Sequence, residues 1–195
     1  LMRSSGNSSK LDAASSLLAV VAPVFAGKGQ LFTLVDSWYM KWPYLRSALK
    51  RNIHTIGQVR RDTALYAIPV QKKGKGRPRK YGEKFTQEVV ETLPENRRNV
   101  FLYGKWQWVR YRSTVCLAKF MKGRQVRAVW MQFEDSVGNL SKQRLLLSTC
   151  ATLSAEDVFL HYSKRWSIGV SSKGHITQSV KVRPGPIDSG LVAWE

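Results

Sequence analysis

Four stretches of this chain bring together side chains that can do chemistry. QLFTLVD places Asp36 at the end of an apolar run, and in an open α/β sheet the carboxyl ends of strands are where active sites form. HYSKRWSIGV sets Tyr162 and Arg165 three apart, with position 169 four beyond Arg165, so all three share one face of a helix. A side chain at 169 would join the other two at one site, and the residue there is Gly169. KKGKGRPRK packs six cations, Lys72, Lys73, Lys75, Arg77, Arg79 and Lys80, into nine residues, a density suited to neutralising successive phosphates. WQWVRYR, residues 106–112, interleaves aromatics with arginines, a pattern able to stack on unpaired bases.

Each stretch also has a plainer explanation. Asp36 can end its strand and cap the following turn. Gly169 can terminate a helix whose last turn holds Lys164 and Arg165. The core KGRPRK resembles the AT-hook, in which arginines beside Gly and Pro enter a narrow minor groove, but it also suits an exposed loop. For WQWVRYR the alternation favours an ordinary half-buried strand with Trp on the core face and cations outside.

The elements that must position these residues follow from periodicity and punctuation. Residues 1–10 are Ser-rich and read as a disordered leader. Leu11 to Ala26 reads as a buried helix, Gln30 to Asp36 as a strand, and Pro43 opens a helix with Leu45, Ala48 and Leu49 on one face. HTIGQVRR and TALYAIP read as strands. After the basic loop the chain is β-rich, and the signals at Gly123 and at Val137 to Asn139 predict an antiparallel meander. Ser154 and Asp157 have the spacing of an N-cap and its third helical residue, ahead of a helix to Ile168 with Val158, Phe159, Tyr162 and Trp166 on its apolar face. Beyond it the tail has Gly/Pro punctuation and no clear period.

Bulk composition narrows the partner class. Lys and Arg number 32 against 13 Asp and Glu, a net charge of +19 and a pI near 10.3, so a polyanion is the expected partner. No apolar run reaches the length of a transmembrane helix, roughly 18 residues. Cys116 and Cys150 lie far apart and, with three scattered histidines, suggest neither a disulfide framework nor a zinc site, which fits a reducing cytoplasm. Arg3 and Lys10 ahead of AASSLLAVVAPVFAG imitate a signal peptide, but Asp12 and Pro23 interrupt the pattern and a buried helix is preferred.

LVDSWYM, GRPRKYG, LYGKWQWVRYRS and above all YSKRWSI resemble bacterial insertion-sequence transposases of the DDE class, in the branch whose last catalytic helix carries a Tyr, Arg, Glu, Lys signature. The resemblance spans roughly residues 10–168. It implies an α/β fold, an incomplete ribonuclease H-like mixed sheet with helices and an inserted antiparallel β-rich region at about 70–150. It also implies DNA as partner, a nucleoid-associated cytoplasmic setting, and assembly with a second copy or an intact relative. In that family three carboxylates hold two magnesium or manganese ions for in-line phosphoryl transfer. Asp36 matches the second carboxylate, and Tyr162 and Arg165 match the first two signature residues. The signature's glutamate falls on Gly169 and its lysine on Ile176, and the strand carrying the first acid would precede residue 10. The expectation is therefore a catalytically incomplete transposase fragment with an unrelated tail at 169–195. The alternative is a non-catalytic basic DNA-binding protein that regulates or inhibits an intact transposase. A third outcome, instability from an exposed sheet edge, follows if early strands are missing.

Overall fold

The computed structural model describes residues 6–70, 78–170 and 181–183. Helix α1 (Gly6–Val24) leads into β1 (Gln30–Val35), α2 (Trp42–Leu49) and β2 (Ile53–Val59). The chain continues through β3 (Leu65–Tyr66), α3 (Gln87–Glu91), β4 (Asn96–Leu102), β5 (Lys105–Ala118), a 3-10 turn (Lys119–Met121), β6 (Arg124–Glu134) and β7 (Arg144–Ser148). It closes with α4 (Ala155–Val170) and β8 (Lys181–Arg183). All the strands join one mixed eight-stranded sheet in the spatial order β3-β5-β6-β7-β2-β1-β8, with β4 also on β5.

The parallel pair is local in origin. β1 and β2 run side by side, Leu31 opposite Ile53 and Val35 opposite Gly57, and a parallel pair needs a crossover, which α2 supplies. Pro43 sits in the first turn of α2, where its missing N–H costs nothing, and Tyr44, Leu45 and Ala48 are buried against the sheet. Gly57 lets the segment after β1 lie close to β2, since a Cβ there would fall 2.5 Å from the Met40 sulfur.

The predicted meander is present: β5 pairs antiparallel with β6 from Trp108 opposite Glu134 to Ala118 opposite Arg124, and β6 pairs antiparallel with β7. β4 and β5 are joined by a two-residue turn in which Tyr103 and Gly104 both have positive φ, 55° and 80°, as a primed hairpin turn requires. The β-rich region is not a separate module, because β7 pairs with β2 and extends the parallel pair into the meander. Each face of the sheet has its own core. Leu45, Ala48, Cys116, Met121, Trp130 and Leu147 pack on the α1 and α2 side, and Ile56, Val109, Val129, Leu146, Phe159 and Tyr162 pack under α4.

Four expectations are corrected. The leader is helical from Gly6, continuous with the apolar helix that follows. TALYAIP is a strand only at Leu65 and Tyr66, since Ala67 instead bonds the backbone of Gly82 and Glu83. Trp106 and Trp108 do not face the core: they are 69% and 39% exposed, and Val109 and Tyr111 point inward in their place. Trp106, Trp108, Arg110 and Arg112 all share one face, so tryptophans and cations do not lie on opposite sides of the strand as expected, and the end of that face carrying the tryptophans extends past the helices that cover Trp130 and Cys116. Finally, Gly169 does not end its helix, which runs on to Val170; one interior glycine costs about 1 kcal/mol relative to alanine and is tolerated. Within the tail, Lys181–Arg183 forms β8 and pairs antiparallel with Gln30 to Phe32, covering part of the outer edge of β1.

Candidate functional site

Asp36 follows directly on β1, at the carboxyl end of the parallel pair, so the strand presents its carboxylate at the rim of the sheet. Its Oδ1 accepts the Trp38 N–H at 2.9 Å and its carbonyl accepts the Tyr39 N–H at 3.2 Å. The plain turn-capping role is therefore real. It occupies only one carboxylate oxygen, and Oδ2 makes no hydrogen bond among the described residues. Asp36 lines a cavity of about 510 Å³ together with Lys10, Tyr39, Tyr44 and Arg165, between α1 and the edge of β1.

Helix α4 brings the second group. Ser154 Oγ accepts the Asp157 N–H at 3.0 Å and donates to Asp157 Oδ2 at 2.8 Å, which satisfies one free amide of the first turn as the spacing predicted. Glu156 accepts from Arg98 and from the Tyr111 hydroxyl, each at 2.9 Å, and Phe159 meets the Tyr111 ring edge-on at 5.3 Å. These contacts fix the helix over β4 and β5 and set Tyr162 and Arg165 one turn further on.

Tyr162 is buried, and its hydroxyl pKa is raised above the ordinary tyrosine value. Burial is the main cause. A bond and charge from Arg165 oppose it, the Asp36 carboxylate adds to it, and Arg144 opposes it. The Arg165 guanidinium lies 5.4 Å from the Tyr162 ring centre. The structure thus brings Asp36, Tyr162 and Arg165, widely separated in sequence, within one electrostatic neighbourhood.

Two further residues belong to it that the sequence reading passed over. Arg144, at the start of β7, packs its guanidinium 5.2 Å from the Phe133 ring, and its charge acts on the Tyr103 hydroxyl at the tip of the β4–β5 hairpin. Burial raises the Tyr103 pKa, and Arg144 works against that rise. The available signal was a cation opening the strand QRLLLST, but nothing local says that a hairpin tip forty residues earlier folds back onto it.

A pair of divalent metals needs several converging oxygen ligands. Among the described residues no three His, Cys, Asp or Glu side chains come together to hold a metal ion, and the polar groups that share the Asp36 cavity are Lys10, Thr33, Tyr39, Tyr44 and Arg165. This donor set does not fit a two-metal centre. Position 169 lies on helix α4 one turn beyond Arg165, and its residue, glycine, has no ligand to offer.

The basic loop is described only in part. Lys72, Lys73, Lys75 and Arg77 lie outside the described residues, while Arg79 and Lys80 are exposed. Lys80 sits 5.5 Å from the Tyr81 ring, which packs on Tyr66 of β3, so these two cations belong with β3 and are not drawn into the Asp36 neighbourhood. Both cysteines are free and buried, and burial pushes the Cys116 thiol up to about 12.

A mixed α/β sheet of this order, with an acid on the carboxyl end of a parallel strand and a late helix packed across it, is a ribonuclease H-like architecture. The protein-family model of the DDE superfamily endonuclease matches residues 12–115, and the chain belongs to that family. That match covers α1 to most of β5, with Asp36 inside it, and stops before β6, β7 and α4. No curated protein matches the chain. Membership makes DNA the substrate class and divalent-metal nuclease chemistry the family's activity. Among the described residues no helix is long and apolar enough to cross a membrane.

Proposed function

We infer that this chain descends from an insertion-sequence transposase of the Tyr, Arg, Glu, Lys signature branch and binds DNA without cutting or joining it. The observation that supports this reading is the neighbourhood of Asp36: it includes Tyr162 and Arg165, which the resemblance matches to the signature, and position 169 on the same helix, matched to the signature's glutamate, is a glycine. One acid cannot hold two metal ions, so the basic surface outlives the chemistry. A role in the nucleoid follows, either as a binder of element ends or as a regulator that occupies them against an intact relative. Lys72, Lys73, Lys75, Arg77, Arg79 and Lys80 supply part of the phosphate contact, and a complementary copy or relative is the source from which missing carboxylates would come.

The test is an incubation of the purified chain with supercoiled and linear DNA in magnesium and in manganese. Binding without nicking or joining is expected. Metal-dependent nicking that disappears in Asp36→Ala overturns the loss of catalysis and restores an active nuclease.

A further inference from the structure

The cations of this chain divide into those already neutralised by the fold and those left for a ligand. On the outward face of β4 and β5, Arg97 and Arg110 hold Glu134, at 2.8 and 3.0 Å, and Arg112 holds Glu95 at 2.9 Å. At the carboxyl end of β2 the situation differs. A cleft of about 580 Å³ is lined there by Arg60, Arg61, Lys142 and Arg144, with Gln58 and Ser141 as additional hydrogen-bonding groups. Asp62 is the one acid in its lining, and it pairs with Arg60 at 2.8 Å on an open surface. Among the described residues Arg61, Lys142 and Arg144 form no ion pair with a carboxylate.

The register places this cleft beside Asp36. Val35 lies opposite Gly57 and Gln58 lies opposite Leu146, so the ends of β1, β2 and β7 stand in one row. Arg144 lines the cleft and also acts on the Tyr162 hydroxyl, which feels Asp36 in turn. The cleft and Asp36 therefore lie at the same end of these strands. Arg144 is also packed against the Phe133 ring, which lowers the entropy lost when it meets an anion.

We propose that the cleft formed by Arg60, Arg61, Lys142 and Arg144 binds the phosphodiester backbone of duplex DNA and seats it across the carboxyl end of the sheet next to Asp36. This rests on the reading of the chain as a DNA-binding protein and adds the surface on which the backbone lies. Unpaired cations release counterions when they meet phosphates, whereas Arg97, Arg110 and Arg112 must first give up their carboxylates. The basic segment at 72–80 then acts as a second, separate contact.

The test is a titration of the full chain on a short blunt duplex by fluorescence anisotropy at several salt concentrations. Arg61→Gln with Lys142→Gln removes two exposed cations of the cleft. Lys28→Gln with Lys50→Gln removes two exposed cations near the amino ends of β1 and β2, at the other end of the same strands. Each phosphate contact contributes about 0.9 to the slope of log affinity against log salt, so the cleft variant should lower the slope by about 2 and the control by well under 1. Equal changes in both, or an unchanged slope in the cleft variant while the parent binds steeply, overturn the cleft. A fall seen on single-stranded DNA and absent on the duplex also overturns it. A parent chain that binds the duplex without salt dependence instead removes the DNA-binding reading itself. Arg144→Gln, with a matching thermal transition as the folding control, should lower the slope by about 1.

Discussion

The outward face of the β4–β5 hairpin and the carboxyl end of β1 and β2 are both rich in aromatics and arginine, and they treat their charge in opposite ways. On the hairpin, Glu134 is nearly buried between Arg97 and Arg110, and Arg97 lies 4.0 Å from the Trp108 ring centre. Phe101 and Trp106 meet edge-on at 5.8 Å, in register across the pair. This region uses its cations to satisfy its own acids. At the end of β1 and β2 the acids are few, and among the described residues Arg61, Lys142 and Arg144 line the cleft with no ion pair to a carboxylate. Charge density in the sequence is a poor guide to a polyanion site unless one knows which cations are already spent.

The contrast can be broken at the element that ties the two regions together. Phe159 is fully buried, rests on Tyr111 of β5 and precedes Tyr162 by three residues. Phe159→Ala should destabilise the chain by about 3–5 kcal/mol, read by denaturant titration, and should weaken DNA binding with it. A loss below about 1 kcal/mol would mean that α4 is not anchored as described.

A second experiment sharpens the hairpin side. Hydrogen bonds from Arg110 and then Arg97 hold the Glu134 carboxyl down to about 2 from an ordinary 4.5. Between those values the unfolded chain binds the proton and the folded chain does not, so the stability this network contributes is complete above 4.5 and is lost as pH falls toward 2. In thermal unfolding by circular dichroism, the parent should lose more stability over that range than Glu134→Gln. Parallel pH profiles would show that the arginines hold Glu134 by shape and not by charge. The smallest effect is expected at Trp106, whose side chain stands mostly in solvent. Trp106→Ala should change stability by less than about 0.5 kcal/mol. A larger loss would show the outward face to be part of the core after all.

Much of the architecture was legible because it is locally encoded. Pro43 and the spacing of Leu45 and Ala48 announce α2, Ser154 and Asp157 announce α4, and the glycines at 123 and 138 announce two turns of the meander. The phase of WQWVRYR was not legible. Trp106, Trp108, Arg110 and Arg112 fall on one face with Val109 and Tyr111 on the other, and only the reach of the helices over the sheet decides which face is covered. Gly169 misled for a related reason: glycine is a common helix terminator, but the helix here is carried through it to Val170. Asp36, Tyr162 and Arg165 were each visible as candidates, while Arg60, Arg61, Lys142 and Arg144 were hidden as strand ends.

By itself, then, the sequence determined an α/β chain with a strongly positive field, one acid at the end of an apolar strand, and a capped helix bearing Tyr162 and Arg165. Those features depend on contacts between residues a few positions apart and on total charge, which need no fold to evaluate. Only the tertiary structure decided which cations remain available to a ligand. An arginine on a strand is neutralised or available according to which distant carboxylate the register sets beside it: Glu134 stands beside Arg97 and Arg110, whereas among the described residues neither Arg61 nor Arg144 forms an ion pair with a carboxylate.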